Sequence, residues 1–399
     1  MTIARATGPT LRCERTRNAT RKYGALGQWP TIMMSSGPPI AAGTFHACFI
    51  FDVADAIDLK QLTQIGGTSA HPAPLRLRAT PSPGNIQFAV PPLAANLTPI
   101  AIREHTGISR AKIYDFGVIS IRFSFPFAGS WDDFASLATS LRKDEALAAH
   151  ARRLVNETLV DCATALDDPH DPLIEDYFIY TVEAFAQPID ARSLLDDHRA
   201  ALVSLMMAEA HALGDEEQSE ALRLHYSYYP GDLVVVLWDS AFVYENSEDA
   251  EVIQDILEFA NSQLVEFRTY DDRLDAELDA IYAMDAPSRS ATPLRRRAAD
   301  VRAQELRYLM VDIRELADRT SNALKIIGDA YYARIYRGIA ARLGLDDWQR
   351  QIETKLDSVG EVYRYLIDQA QIARGEFLEI IVIVLIAIEI VVGILGLRH

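Results

Sequence analysis

The stretch Lys112–Phe125 reads KIYDFGVISIRFSF, and its alternation of β-branched or aromatic side chains with smaller and polar ones predicts a strand over about residues 113–123. Upstream, TFHACFIFDVADAIDLKQL carries a β-rich apolar run from Phe45 to Val53 that gives way to a helical pattern after Asp55. Between the two, prolines at 72, 74, 81, 83, 91, 92 and 99 forbid a continuous helix and leave loops with one short strand over 86–90. Downstream, helices are expected from Trp131 to Leu141 and from Glu145 to Leu166. A strand follows from Asp176, then a helical segment from Asp190 to Leu213 and strands around a Pro230-Gly231 turn. Residues 45–245 are therefore expected to form one mixed α/β globular domain, and the fold class is α+β.

Beyond Glu248 the pattern changes. Ile253, Leu257, Ala260, Leu264, Phe267, Leu274, Leu278 and Ile281 keep a four-three spacing with Asp271 in the polar slot, which predicts a helical coiled-coil region over 246–343, broken at Pro287. A second seam, from Ile352, Leu356 and Val359 through Tyr363 and Leu366 to Ile394, predicts a stalk helix over 346–376 running into an apolar segment over 377–397. As a helix those last residues would reach about 31 Å, the thickness of a bilayer core. The expectation is one C-terminal transmembrane helix in a tail-anchored, single-pass protein whose bulk stays on the side where it is made. A bacterial inner membrane is favoured, or a mitochondrial one if residues 1–44 are a transit peptide. Glu389 inside that segment would need a compensating partner, a protonated state or a local water defect; it is expected either to be hydrogen-bonded between subunits or to be tolerated as a neutral acid, and Glu379 would sit at the interface. Tyr363 and Leu366 join these two as expected oligomer contacts.

The formal charge is −17, yet residues 1–44 hold six basic side chains against Glu14 alone. That segment reads as a disordered or wrongly assigned leader. So acidic a remainder disfavours general nucleic-acid binding, with Arg295, Arg296 and Arg297 as a local exception. Cys13, Cys48 and Cys162 lie far apart, giving neither a zinc motif nor a disulfide framework. Phosphate-binding loops, dinucleotide fingerprints, zinc-protease and serine-elbow motifs are all missing from the sequence. Two polar clusters stand out. LDDPHDP offers Asp167, Asp168, His170 and Asp171 as possible metal ligands or as ordinary loop residues, and LDDHRA offers Asp196, Asp197 and His198 at a helix start. No cofactor is expected.

The order of an α+β domain bearing YDFGVI (Tyr114, Asp115, Phe116 and Gly117 at its head), a long helical hairpin and the closing LDSVGEVYRYLIDQAQIARGEFLEIIVIVLIAIEIVVGIL resembles the required-for-meiotic-nuclear-division family. The strand after Gly117 departs from it, reading ISIRF where members often carry tryptophan, and Ser204 stands without the usual alanine-serine run. A divergent bacterial branch would fit. The resemblance implies an oligomeric membrane protein that supports translation by tethering, with the ribosome as an expected partner, and it supplies no enzymatic residues. The functional expectation is a non-enzymatic tail-anchored scaffold that oligomerises through its stalk and presents the α+β domain to a protein partner. The alternative is an enzyme or small-ligand sensor with a pocket near Tyr114, Asp115, His170 or Tyr228.

Overall fold

Phe45, Ala47, Phe49, Phe51 and Val53 alternate with His46, Cys48, Ile50 and Asp52 along one strand, and both sets are buried. A strand covered on both faces has to lie inside a sheet with a layer on each side. This is β1, Ile40–Ile57, in a computed structural model that describes residues 37–73, 91–209, 211, 213–284, 310–311, 313–314, 329–361, 382–383 and 385–386. Among the described residues, a nine-stranded sheet runs around β1 in the order β4-β5-β6-β7-β1-β8-β11-β10-β9.

On one side of β1 stand β7 (Val118–Gly129), β6 (His105–Ile113), β5 (Leu93–Ile102) and β4 (His71–Pro72). On the other stand β8 (Leu166–Phe185), β11 (Ser240–Tyr244), β10 (Leu233–Val236) and β9 (His225–Tyr226). Every neighbouring pair is antiparallel except β8 with β11. Parallel neighbours need a long crossover, and the chain between them holds α3 (Ala191–Asp197), α4 (Arg199–Met207), α5 (Asp215–Ala221), β9 and β10. A separate small hairpin joins β2 (Gln64–Ile65) to β3 (Thr68–Ser69).

Each face of the sheet has its own core. The first is closed by α1 (Trp131–Arg142), α2 (Glu145–Cys162) and α4, with Phe134, Leu141, Leu154 and Leu202 against the phenylalanines of β1. Both long helices of this layer start at side-chain caps, Ser130 Oγ accepting from Asp133 N at 3.2 Å and Asp144 Oδ1 from Ala146 N at 3.0 Å. The second core is closed by α6 (Ser247–Met284), α7 (Ala330–Leu343) and a helix over residues 345–361.

The single strand expected over 113–123 is instead the end of β6, a turn and the start of β7. Tyr114 N donates to Val118 O at 2.9 Å, closing the turn, and Gly117 takes φ +86°. A Cβ on Gly117 would fall 1.6 Å from Ala54 O, because the turn is docked on β1: Val53 N donates to Gly117 O at 3.0 Å and Ile57 N to Asp115 O at 2.9 Å. The helical pattern expected after Asp55 gives only a short 3-10 turn, Leu59–Gln61. These same backbone bonds to Asp115 and Gly117 keep residues 53–57 extended.

The expected architecture of a globular domain followed by a long coiled-coil hairpin and an anchor is overturned. From Val252 to Phe267 every residue of α6 is buried, which no exposed coiled coil allows. Ile253, Leu257, Ala260, Leu264, Phe267 and Leu274 belong to the core between sheet and helices. Asp271, the polar residue of that seam, accepts from Gln351 Nε2 at 3.1 Å and lies 2.6 Å from Lys355 Nζ, both on the 345–361 helix. Ile352, Leu356 and Val359 of that helix enter the same core. Among the described residues, no helix is long and apolar enough to cross a membrane. The transmembrane and tail-anchored readings, and the membrane location derived from them, fall with that finding. Glu389, Glu379, Tyr363 and Leu366 lie outside the described residues, as do 1–36 and Arg295–Arg297. Of the apolar segment 377–397, only Val382, Ile383, Leu385 and Ile386 are described, as exposed helical residues.

Gly117→Ala is expected to lower the unfolding free energy by about 3 kcal/mol or more in urea titrations, since it adds a backbone clash to an unfavourable φ. Gly67, at φ +71° with nothing within 4 Å of its Cβ position, separates the two effects. Gly67→Ala should cost about 1 to 2 kcal/mol, and equal losses at both sites would show that docking on β1 contributes nothing.

Candidate functional site

Three polar constellations stand out, the first where the sheet is most charged. On the α6 side of β6 and β7, Lys112 and Arg122 are buried beneath Asp255 and Glu258 of α6. Lys112 Nζ lies 2.7 Å from both Asp255 Oδ1 and Glu258 Oε2, and Arg122 Nη1 lies 3.5 and 3.7 Å from the same two oxygens. Gln254 accepts from Arg122 Nη1 at 3.4 Å and donates to Thr181 Oγ1 at 3.1 Å, and at the rim Arg110 donates to Glu251 at 2.9 Å. Glu251, Gln254, Asp255 and Glu258 are spaced to fall on one helical face, so a polar stripe of α6 meets a polar stripe of the sheet. Burial alone would raise the Glu258 carboxyl, but Lys112 and Arg122 outweigh it and bring it down to about 2. Beside the cluster, burial lowers His46 to about 3 and raises the Cys48 thiol to about 12, so one is a neutral imidazole and the other an unreactive thiol. This constellation holds α6 on the sheet and presents nothing to a ligand.

The second constellation contains the LDDPHDP motif. Asp52 of β1 is paired with Leu173, while Ala54 is already paired with Pro169, so β8 bulges between them. Bulges re-aim side chains, and this one sets His170 Nε2 3.6 Å from Asp52 Oδ1. Asp168, at φ +43°, reaches Arg273 of α6 at 3.4 Å, and Arg273 also pairs with Asp55. Asp168 and His170 thus turn to different partners, and Asp167 and Asp171 are exposed. Among the described residues, no group of three or more His, Cys, Asp or Glu side chains could hold a metal ion. Asp52 is pushed up to about 7, chiefly by burial and further by Asp55, against the pull of Thr269 and Arg273.

The third is a groove of about 790 Å³ on the α3, α5 and β9 side of the molecule. Arg192, Arg199, Ser219, Arg223, His225 and Ser227 line it, with Asp190 and Asp196. Arg199 Nη2 donates to Ser219 Oγ at 2.5 Å, and that hydroxyl donates to Asp215 O at 2.6 Å. His225 Nδ1 lies 2.7 Å from Leu222 O, a carbonyl that can only accept, so Nδ1 carries a hydrogen and Nε2 is not the donor in that bond. Asp190 caps α3 by accepting from Ser193 N at 2.7 Å. In LDDHRA, Asp196 pairs with Arg192, and Asp197 and His198 form the junction between α3 and α4. The sequence reading passed over Arg199, Ser219 and Arg223. They come from α4, α5 and the loop between α5 and β9, and no short motif joins them.

Tyr114 and Phe116 are buried, with ring centroids 6.4 and 6.5 Å from Phe259 of α6. Tyr228 is exposed, stacked edge-on against Tyr229 and Tyr331 at 4.7 and 5.4 Å, and its backbone N–H is held by Asp232 at 2.6 Å.

Glu258 and Asp52 push stability in opposite directions with pH. Glu258 titrates lower folded than its ordinary 4.5, so its contribution is present above about 4.5 and is lost as pH falls toward 2. Asp52 titrates higher folded than its ordinary 3.8, so stability falls as pH rises from there through about 7. Asp52→Asn should leave stability at pH 4 nearly unchanged and raise it at pH 8 by on the order of 2 to 4 kcal/mol. Urea unfolding across pH 4–8 checks this, and parallel wild-type and variant profiles would contradict it.

Comparison with known proteins matches residues 42–251 to the family model described as "Uncharacterized protein MJ0711, N-terminal domain", a span from β1 to the first turn of α6. A relative of that description, uncharacterized protein MJ0711 of Methanocaldococcus jannaschii, is 22% identical over 223 residues, covering 56% of this chain and 67% of its own. No solved structure matches. Neither finding names the required-for-meiotic-nuclear-division family or bears on a bacterial source. With the family model covering more than half of its length, the chain belongs to the MJ0711 N-terminal domain family.

Proposed function

We propose that this protein binds a small polar ligand in the groove bounded by α3, α5 and β9, without converting it. The observation that carries this reading is convergence: arginines from the α3–α4 segment and from the approach to β9, with the serine of α5, face one space of about 790 Å³. That volume lies in the range of small-molecule sites. Binding rather than catalysis is supported by the two hydroxyls. Ser219 donates to Asp215 O at 2.6 Å and Ser227 to Tyr229 O at 2.7 Å, so neither is poised on His225 as a nucleophile on its base.

A second reading, a non-enzymatic scaffold that presents this domain to a protein partner, is favoured by Trp238, Tyr228 and Tyr229, which are 65, 59 and 53% exposed at the turns flanking β10. Large aromatics of this kind anchor interfaces. The resemblance carried by Tyr114–Gly117 would place that partner in the translation machinery, and self-association would make it a second copy of the chain.

A thermal-shift screen of a small-metabolite library against wild type and Ser219→Trp tests the first reading. Compounds that raise the melting temperature of wild type but not of the groove-filling variant are expected. A library without a binder, or binders indifferent to Ser219→Trp, would turn the account to the scaffold.

A further inference from the structure

The arginines of this protein carry a further message about the groove's ligand. Among the described residues, Arg110, Arg122, Arg142, Arg268, Arg273 and Arg342 are buried or half-buried, and each has a carboxylate within ion-pair distance. Arg199 is half-buried as well, and no carboxylate among the described residues pairs with it. Its hydrogen bond goes to a neutral hydroxyl, Ser219 Oγ, and its Nε is shut off from solvent without a partner. The groove's other arginines are already matched, Arg192 by Asp196 at 3.5 Å and Arg223 by Glu220 at 3.1 Å. Of the two groove aspartates, Asp196 is thus taken, and Asp190 is engaged by the backbone of α3.

In a chain of net charge −17, a partly desolvated guanidinium left without a carboxylate is a charge awaiting its counter-ion. Ser219 also fixes the orientation of that guanidinium, because its own proton is engaged with Asp215 O and its oxygen is left to accept. A planar fork held in place suits an oxyanion that can take two parallel N–H bonds.

We propose that the ligand of this groove carries an anionic oxyacid group, a phosphate ester or a carboxylate, that pairs with Arg199. This rests on the groove being a ligand site, and the ligand class and the site can fail separately. The rest of the ligand would lie along Ser227 and His225, which line the same groove.

The test is titration calorimetry of the full chain with matched pairs: AMP and adenosine, glycerol 3-phosphate and glycerol, glutarate and glutaramide. The charged member of at least one pair is expected to bind at least ten-fold more tightly than its uncharged counterpart, and the phosphate and carboxylate pairs distinguish the two oxyacids. Arg199→Gln should weaken that binding at least ten-fold, and Arg199→Lys, which keeps the charge and loses the fork, should restore part of it. Arg152→Gln, an exposed change on α2, should leave it untouched. Unchanged thermal unfolding of the Arg199 variants confirms that they are folded. Equal binding within every pair, or full affinity in Arg199→Gln, would overturn the oxyanion class, while loss of the same binding in Ser219→Trp would keep the groove as the site. Uncharged library compounds binding in the groove where no charged probe does would overturn the class in the same way. Failure of every probe and of every library compound would remove the site and the inference together.

Discussion

Four charges buried between the sheet and α6 are the constraint on which the architecture turns. Lys112 and Arg122 cannot leave water without partners, and Asp255 and Glu258 cannot enter the core without theirs. Their mutual satisfaction fixes both the height and the rotation of α6 over β6 and β7, because the acidic residues must meet bases that are already set by strand register. Breaking such a set on one side typically costs about 3 to 5 kcal/mol, whereas an apolar replacement of the whole set can be neutral. Its effect is therefore on which arrangement forms. A slide of α6 by one turn would strand two charges in the core.

Once α6 is so placed, the second core follows. Phe259 meets the aromatic pair Tyr114 and Phe116, Tyr336 donates to Gln263 at 2.5 Å, and Tyr332 donates to Asp249 at 2.9 Å, so α7 is tied to the opposite flank of α6. Gly338 lets α7 approach β9, since a Cβ there would sit 2.0 Å from the Tyr226 hydroxyl. From the end of α7, Arg342 reaches Glu220 of α5 at 3.0 Å, and Glu220 also pairs with Arg223 on the groove. The α6 layer and the groove are thereby joined through a short chain of named contacts.

How much of this the sequence shows depends on how local each signal is. The helix from Trp131 was legible because Ser130 caps it and Phe134, Leu137, Ala138 and Leu141 follow at helical spacing. The turn at Gly117 was hidden inside a strand-like alternation, although a lone glycine in such a pattern is a usable warning. Ser120, Arg122 and Ser124 alternate with apolar residues as a solvent-facing row would, and only the presence of α6 above them makes that row interior. The seam of α6 announces a covered helix without saying by what, so a coiled-coil partner and a sheet predict the same spacing. The groove was illegible for a different reason: its arginines, serines and histidine are spread over residues 192–227 and meet only because α3, α5 and β9 fold back on one another.

On this packing α6 belongs to the same cooperative unit as the sheet. Native-state hydrogen exchange under increasing urea measures this residue by residue. Amides of α6 between Val252 and Phe267 are expected to open only with those at the centre of β1, with the same free energy and the same denaturant dependence. Exchange of the α6 amides through a separate opening, several kcal/mol easier than that of β1, would contradict it and return α6 to the status of an appendage.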